Sequence, residues 1–167
     1  VDTKSALLTT TYLTIIKVEL NMKAVIANDH GAVELAKRLM AHLDKRGIEY
    51  KYLGTGEEVS VDYPDKAEEA VLEYRKGGYD FGILLCGTGI GISMAANKMN
   101  GVRCALPQNA YSAEMTKRHN NSNFIAFGGR VEYSEEPEKI LDAYIDSTFE
   151  GGRHQRRIDK LMALSGK

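Results

Sequence analysis

The chain has 167 residues, 43% of them hydrophobic and 27% charged, with a formal net charge of -1. That balance suits one globular domain able to bury a core without staples, and it carries no electrostatic footprint for nucleic acid or an anionic membrane. Cys86 and Cys104 lack CxxC spacing, which fits a reducing, cytoplasmic setting, and His30, His42, His119 and His154 lack HExxH or zinc-finger spacing, so no metal site and no cofactor is expected.

Residues 1–21, VDTKSALLTTTYLTIIKVELN, do not read like the rest. The apolar stretch Ala6 to Ile16 is broken by threonines and is too short to span a bilayer. It is expected to be an extension or leader outside the core, with a targeting role as the alternative, and residues 22–167 to form the single domain. KAVIAN, Lys23 to Asn28, predicts a buried strand. Leu35, Leu39 and Leu43 repeat every fourth residue and predict a helix from Val33 to Arg46, stopped by Gly47. IEYKYL, Ile48 to Leu53, predicts a second strand. Pro64 suits a first helical position, and Ala67, Ala70, Val71 and Tyr74 give that helix its inner face.

DFGILLC, Asp80 to Cys86, predicts a third strand, followed after a glycine loop by a helix from Ile90. Gly101 to Leu106 reads as a fourth strand, Asn109 to Arg118 as a helix, and Asn123 to Gly128 as a fifth strand. A helix from Ser134, its expected N-cap, to Ser147 follows, and a last one from Arg153 to Leu164. Alternating strands and helices imply parallel pairing through right-handed crossovers. The predicted fold is α/β: a three-layer α/β/α sandwich, Rossmann-like, on a five-stranded parallel sheet. Ligands in such sheets bind beyond the carboxyl ends of strands where the winding reverses. With the second strand outside the first, that point falls between the first and third strands, bringing NDHG (Asn28 to Gly31) beside CGTGIG (Cys86 to Gly91).

The loop with Gly87, Gly89 and Gly91 excludes several familiar sites. A dinucleotide fingerprint needs glycine where Ile92 stands, and the acidic residue expected later is missing at Leu106-Pro107-Gln108. The P-loop Gly-Lys-Ser/Thr is absent, and a cysteine phosphatase would need arginine at Ile92. What remains is a thiol at the mouth of a loop of backbone donors, ahead of a helix N-terminus. Such surroundings favour thiolates and can hold a developing oxyanion. A base beside an oxyanion cradle removes a proton next to a carbonyl and stabilises the enediolate. Alternatively, Cys86 is a small buried residue that ends a strand.

Other candidates carry similar pairs of readings. Asp29 and His30 stand at the predicted ligand edge, or Asp29 caps a helix. His119 closes a helix, where a cation is also favoured by the dipole. Arg153 and Arg157 share one helix face, with Arg156 beside them, either as an anion site or as a solvated basic face. Tyr63 precedes Pro64, where an ordinary loop aromatic is the simpler reading. His42 receives no role.

In order along the chain, NDHG, SVDYPD, GILLCGTGIGISMAANK, RHNNSN, FGGRV and EGGRHQRRI resemble the ribose-5-phosphate isomerase B and galactose-6-phosphate isomerase family, from Met22 to about Leu164. The resemblance implies aldose–ketose isomerisation of a sugar phosphate through a cis-enediol, without metal, as in the pentose phosphate pathway. It implies Cys86 as base; another branch uses a glutamate where Ile92 stands here. Thr88 and the amides of Gly87, Gly89, Ile90 and Gly91 would bind sugar oxygens, Asp29 and His119 would open the ring, and Asn120 and Tyr63 would lie beside the substrate. His30, Arg130, Arg153 and Arg157 match phosphate-end positions. It also implies a homodimer or tetramer whose C-terminal arginines serve the neighbouring site. The tail and the His-Asn pair resemble the ribose branch, with allose and galactose phosphates as alternatives. Asn28 stands where the family usually has serine, and Gly31 where alanine is common, departures that could tune the sugar preference. An alternative from another class is a flavodoxin-type module binding a nucleotide or flavin phosphate.

Overall fold

The computed structural model describes residues 22–57 and 59–165. The extension expected at residues 1–21 lies outside the described residues. Five strands, β1 (Lys23–Asn28), β2 (Glu49–Tyr52), β3 (Phe81–Cys86), β4 (Cys104–Ala105) and β5 (Phe124–Gly128), form one sheet in the order β2-β1-β3-β5-β4. Every pairing is parallel. The helices are α1 (Val33–Lys45), α2 (Tyr63–Arg75), α3 (Ile90–Asn97), α4 (Ala110–Asn120), α5 (Pro137–Ile145) and α6 (Arg153–Met162), with a 3-10 turn at His30–Ala32.

The period-two alternation of the strands sorts their side chains onto two faces. Ala24, Ile26, Ile83, Leu85, Ile125 and Phe127 meet Leu35, Leu39 and Leu43 of α1 and Ile140, Leu141 and Tyr144 of α5. On the other face Val25, Ala27, Leu84, Phe124 and Ala126 meet Ala67, Ala70 and Val71 of α2 and Ile92 and Ala96 of α3. Each fully buried large apolar side chain contributes about 1.5–3 kcal/mol. Gly82 makes room for the Phe124 ring, whose Cε1 would lie 2.1 Å from an added Cβ. β3 and β5 are apolar throughout, and β1 is apolar between Lys23 and Asn28, because helices cover both faces. β2, EYKY, lies at one edge and alternates exposed and half-buried residues instead.

Three expectations are corrected. β4 is two residues rather than the six of Gly101 to Leu106, a short stretch that limits the unpaired edge it offers. Ser134 is not a cap: α5 starts at Pro137, and Glu136 precedes it without a side-chain capping bond, because proline's fixed φ sets the first turn. Pro64 is the second residue of α2, which begins at Tyr63. No helix among the described residues is long and apolar enough to cross a membrane.

Candidate active site

The winding reverses between β1 and β3, so the segments that leave them lie side by side. The Asp29 amide donates to the Leu85 carbonyl at 3.0 Å. Gly31 and Gly87 approach so closely that a Cβ on Gly31 would lie 2.9 Å from the Gly87 nitrogen. After β5, the amides of Gly129 and Arg130 donate to the carbonyls of Cys86 and Gly87, each at 2.9 Å. Three strand ends are thereby stitched into one floor at the carboxyl edge.

Cys86 ends β3 on the α2–α3 face, 4% exposed. The Gly89 amide donates to its Sγ at 3.1 Å. Gly89 sits at φ +76° as N-cap of α3, and a Cβ there would lie 2.9 Å from the Phe127 backbone, so only glycine fits. Gly91 is pressed by the Tyr63 ring, 2.7 Å from where its Cβ would be. Gly87 differs from both: the nearest atoms to an added Cβ belong to the Arg130 side chain, at an ordinary 3.7 Å. Nothing in the surrounding chain requires glycine at 87. Thr88 and Ile90 are exposed on the loop, and Thr88 Oγ1 accepts from the Ile90 amide at 3.3 Å.

Asp29 is 6% exposed, and its Oδ1 accepts from the Gly31 amide at 2.8 Å, capping the 3-10 turn. The capping reading therefore describes one of its oxygens, and it places the carboxylate beside the loop. His30 Nδ1 accepts from the Val61 amide at 3.3 Å, which fixes the ring and its tautomer, leaving the proton on Nε2. Asn28 is fully buried, and its amide donates to the carbonyls of Asp29 and Thr55, each at 2.9 Å. This residue braces the loop from behind.

His119 and Asn120 do not join this group. They end α4, which has crossed back to the start of β5, whereas Cys86 is level with Gly128 at the far end of β5. Five residues of strand separate the two levels by roughly 15 Å. Arg153 and Arg157 lie at this opposite edge too. The Glu150 amide donates to the Arg118 carbonyl at 3.0 Å, and the His154 ring stacks on His119 with centroids 4.2 Å apart. Within one chain His119 and Asn120 thus stand at the other edge from Asp29, because a helix that follows a parallel strand ends at the opposite edge.

Charge is distributed unevenly. Arg38, Arg46 and Arg118 bind carboxylates, while Arg75 and Arg103 bind carbonyls. Arg130, Arg153, Arg156 and Arg157 are exposed and make no side-chain hydrogen bond or ion pair among the described residues. Glu150, held low by Arg118, is ionised, and burial, with His119 and Arg153 adding, holds His154 below its ordinary value. Burial pushes the Cys104 thiol well up, so it offers no thiolate. Sequence reasoning missed Glu150 and His154; their i,i+4 spacing across the glycine pair was the available signal.

These placements can be set beside known proteins. The family model described as Ribose/Galactose Isomerase matches residues 24–161. Ribose-5-phosphate isomerase B of Escherichia coli strain K12 is 41% identical over 142 residues, covering 85% of this chain and 95% of that protein. D-erythrulose-4-phosphate isomerase of Pectobacterium atrosepticum is 36% identical, covering 84% of this chain and 93% of its own. The crystal structure of a ribose 5-phosphate isomerase from Thermotoga maritima superposes with a TM-score of 0.82 at 43% identity, covering 86% of this chain and 99% of that one. The match runs through both edges of the sheet, from β1 to α6, and the chain belongs to the ribose/galactose isomerase family.

Proposed function

We propose that the protein is an intramolecular oxidoreductase interconverting ribose 5-phosphate and ribulose 5-phosphate through a cis-enediolate. Cys86 takes the proton from C2 of the open aldose and returns it to C1. The negative charge that passes between the two oxygens is held by Thr88 and the amides of the 87–91 loop. Asp29 accepts or supplies a hydroxyl proton at the same edge. The observation that carries this reading is a thiol 3.1 Å from the Gly89 amide, under a loop where a Cβ on Gly87 would meet only the side chain of an unpaired Arg130, at 3.7 Å.

The second half of the machinery comes from a second copy of the chain. His119 and Asn120 for ring opening, and Arg153 and Arg157 for phosphate, sit at the wrong edge to serve their own Cys86. In a two-fold dimer the opposite edge of one subunit faces the carboxyl edge of its partner, and each copy completes the other's site. Unpaired arginines with forked donors suit phosphate oxygens. The flavodoxin-type alternative is disfavoured by the strand order: β5 lies between β3 and β4 here, whereas flavodoxins run 2-1-3-4-5. The test is an isomerisation assay across ribose 5-phosphate, allose 6-phosphate, galactose 6-phosphate and erythrose 4-phosphate. Ribose 5-phosphate should give the highest kcat/KM; a better substrate among the others reassigns the sugar, and turnover of none removes the reading.

A further inference from the structure

Three potential ligand atoms converge behind His119. Its Nε2 lies 3.7 Å from Oε2 of Glu150, and Nε2 of His154 lies 3.5 Å from the same oxygen. The two imidazoles and the carboxylate each offer one atom, all within 4.8 Å of one another. Those separations exceed the span of about 2.7–3.2 Å that N–H···O bonds occupy. Neither ring makes a side-chain hydrogen bond among the described residues, and His154 is 6% exposed. A buried imidazole aimed at a carboxylate it does not bond leaves a gap of a definite size. Ligands about 2.0–2.2 Å from a tetrahedral zinc ion sit about 3.3–3.6 Å from one another.

We propose that His119, Glu150 and His154 form a binding site for a transition-metal dication, zinc foremost, and that an ion held there withdraws His119 from the sugar. The second half rests on reading His119 as the ring-opening group. Two imidazoles and a carboxylate are a donor set suited to zinc, and magnesium and calcium, which want oxygen, find too little here. Glu150 is already oriented from outside, because Arg118 Nε donates to its other oxygen at 2.7 Å. That is the support a metal-ligating carboxylate ordinarily receives. A metal lies in the plane of the imidazole that binds it, yet the two rings are stacked with 4° between their planes. One ring must turn. His154 is fixed by burial; His119, its side chain 36% exposed, is the one that moves. Turning it toward the ion takes its nitrogen from the hydroxyl it would serve. Sequence spacing shows only the Glu150–His154 pair, because α4 and α6 bring the two histidines together from distant segments.

Cobalt(II) reports the site by its visible d–d absorption. Titrated into full-length Cys86→Ala protein, which lacks the competing thiol, it should give bands that vanish in Cys86→Ala/His154→Gln and weaken about tenfold or more with the exposed Glu150→Gln change. In protein that retains Cys86, zinc should slow ribose 5-phosphate turnover, and a chelator should restore it. His154→Gln should keep basal activity and raise the half-inhibiting zinc concentration about tenfold or more. Open-chain erythrose 4-phosphate should escape inhibition. No cobalt bands, or bands indifferent to His154→Gln, overturn the site. Cobalt bound at the cluster with zinc inhibition unmoved by His154→Gln overturns the link to ring opening. The spectrum needs no turnover, so it judges the site even if the assigned sugar fails.

Discussion

At the carboxyl edge, Asp29, Cys86 and the 87–91 loop are held by bonds within their own chain: the amides of Asp29, Gly129 and Gly89 donate to the Leu85 carbonyl, the Cys86 carbonyl and the Cys86 sulfur. At the opposite edge, His119, Arg153 and Arg157 make no side-chain hydrogen bond among the described residues. The first region is preorganised, its groups fixed within one chain, the arrangement from which electrostatic catalysis gains most. The second presents Arg153 and Arg157 exposed, with His119 beside them. On the proposed reading, the fixed groups serve their own chain and the unsatisfied ones at the other edge serve a second copy.

The largest expected effect falls on the preorganised side. Cys86→Ala should keep the fold and substrate binding while kcat drops by about 10² to 10⁴, the usual contribution of a positioned base. Near-normal turnover would leave Cys86 as a core residue and empty the comparison of its catalytic half. His119→Asn, on the other side, should slow ribose 5-phosphate by a smaller factor and spare erythrose 4-phosphate, which forms no equivalent furanose. Equal losses on both sugars would mean that His119 does not act in ring opening.

Two glycines sharpen the contrast between fold and function within one loop. Gly89→Ala meets a left-handed φ and the Phe127 backbone and should cost about 1–2 kcal/mol of stability or more. Gly87→Ala meets only ordinary contacts and should hold stability within about 0.5 kcal/mol while kcat/KM falls. Thermal melts alongside kinetics separate the cases. A Gly87→Ala protein of full activity would show that the space over Gly87 is not where substrate lies.

Much of this was legible in residue order. The β-branched runs and four-residue leucine spacing of α1 mark the layers, and the reversal between β1 and β3 follows once β2 lies outside β1. The loop's glycines were visible, but not that Tyr63 and the Phe127 backbone require two of them. Nor could periodicity place β5 inside β4, since strand order is settled by long-range packing of Phe124 and Phe127 against both helix layers. The separation of His119 from Cys86 was hidden for a related reason. Motif matching collects residues from one chain into one site and is blind to which edge each reaches.

The smallest expected effect lies away from both clusters and serves as their control. Glu73 takes Lys76 Nζ and the Tyr79 hydroxyl at 2.7 Å each and Lys51 at 3.0 Å. Lys76 first, then Tyr79 and Lys51, hold its carboxyl down to about 2, and Glu73 pushes the Tyr79 phenol up to about 12. A depressed carboxyl stabilises the fold above its unfolded value near 4.5, and that contribution is lost as pH falls toward 2. The raised phenol contributes below pH 10, and its share fades as pH rises through 12. Glu73→Gln should flatten both limbs of a melting-temperature profile and leave kcat/KM at neutral pH unchanged. A profile identical to wild type would remove Glu73 as the source of either limb.

The claim that the two edges belong to one site, but to different copies of the chain, is tested by complementation. Cys86→Ala and Arg157→Ala proteins, each inactive alone, are unfolded, mixed in equal amounts and refolded together. Random pairing makes half the dimers mixed, and each mixed dimer carries one site with both defects and one with neither. The account predicts recovery to about a quarter of wild-type activity, and the same for Cys86→Ala with His119→Asn on ribose 5-phosphate. Mixing that recovers nothing, from proteins shown to form mixed dimers, would mean that each chain builds its site alone.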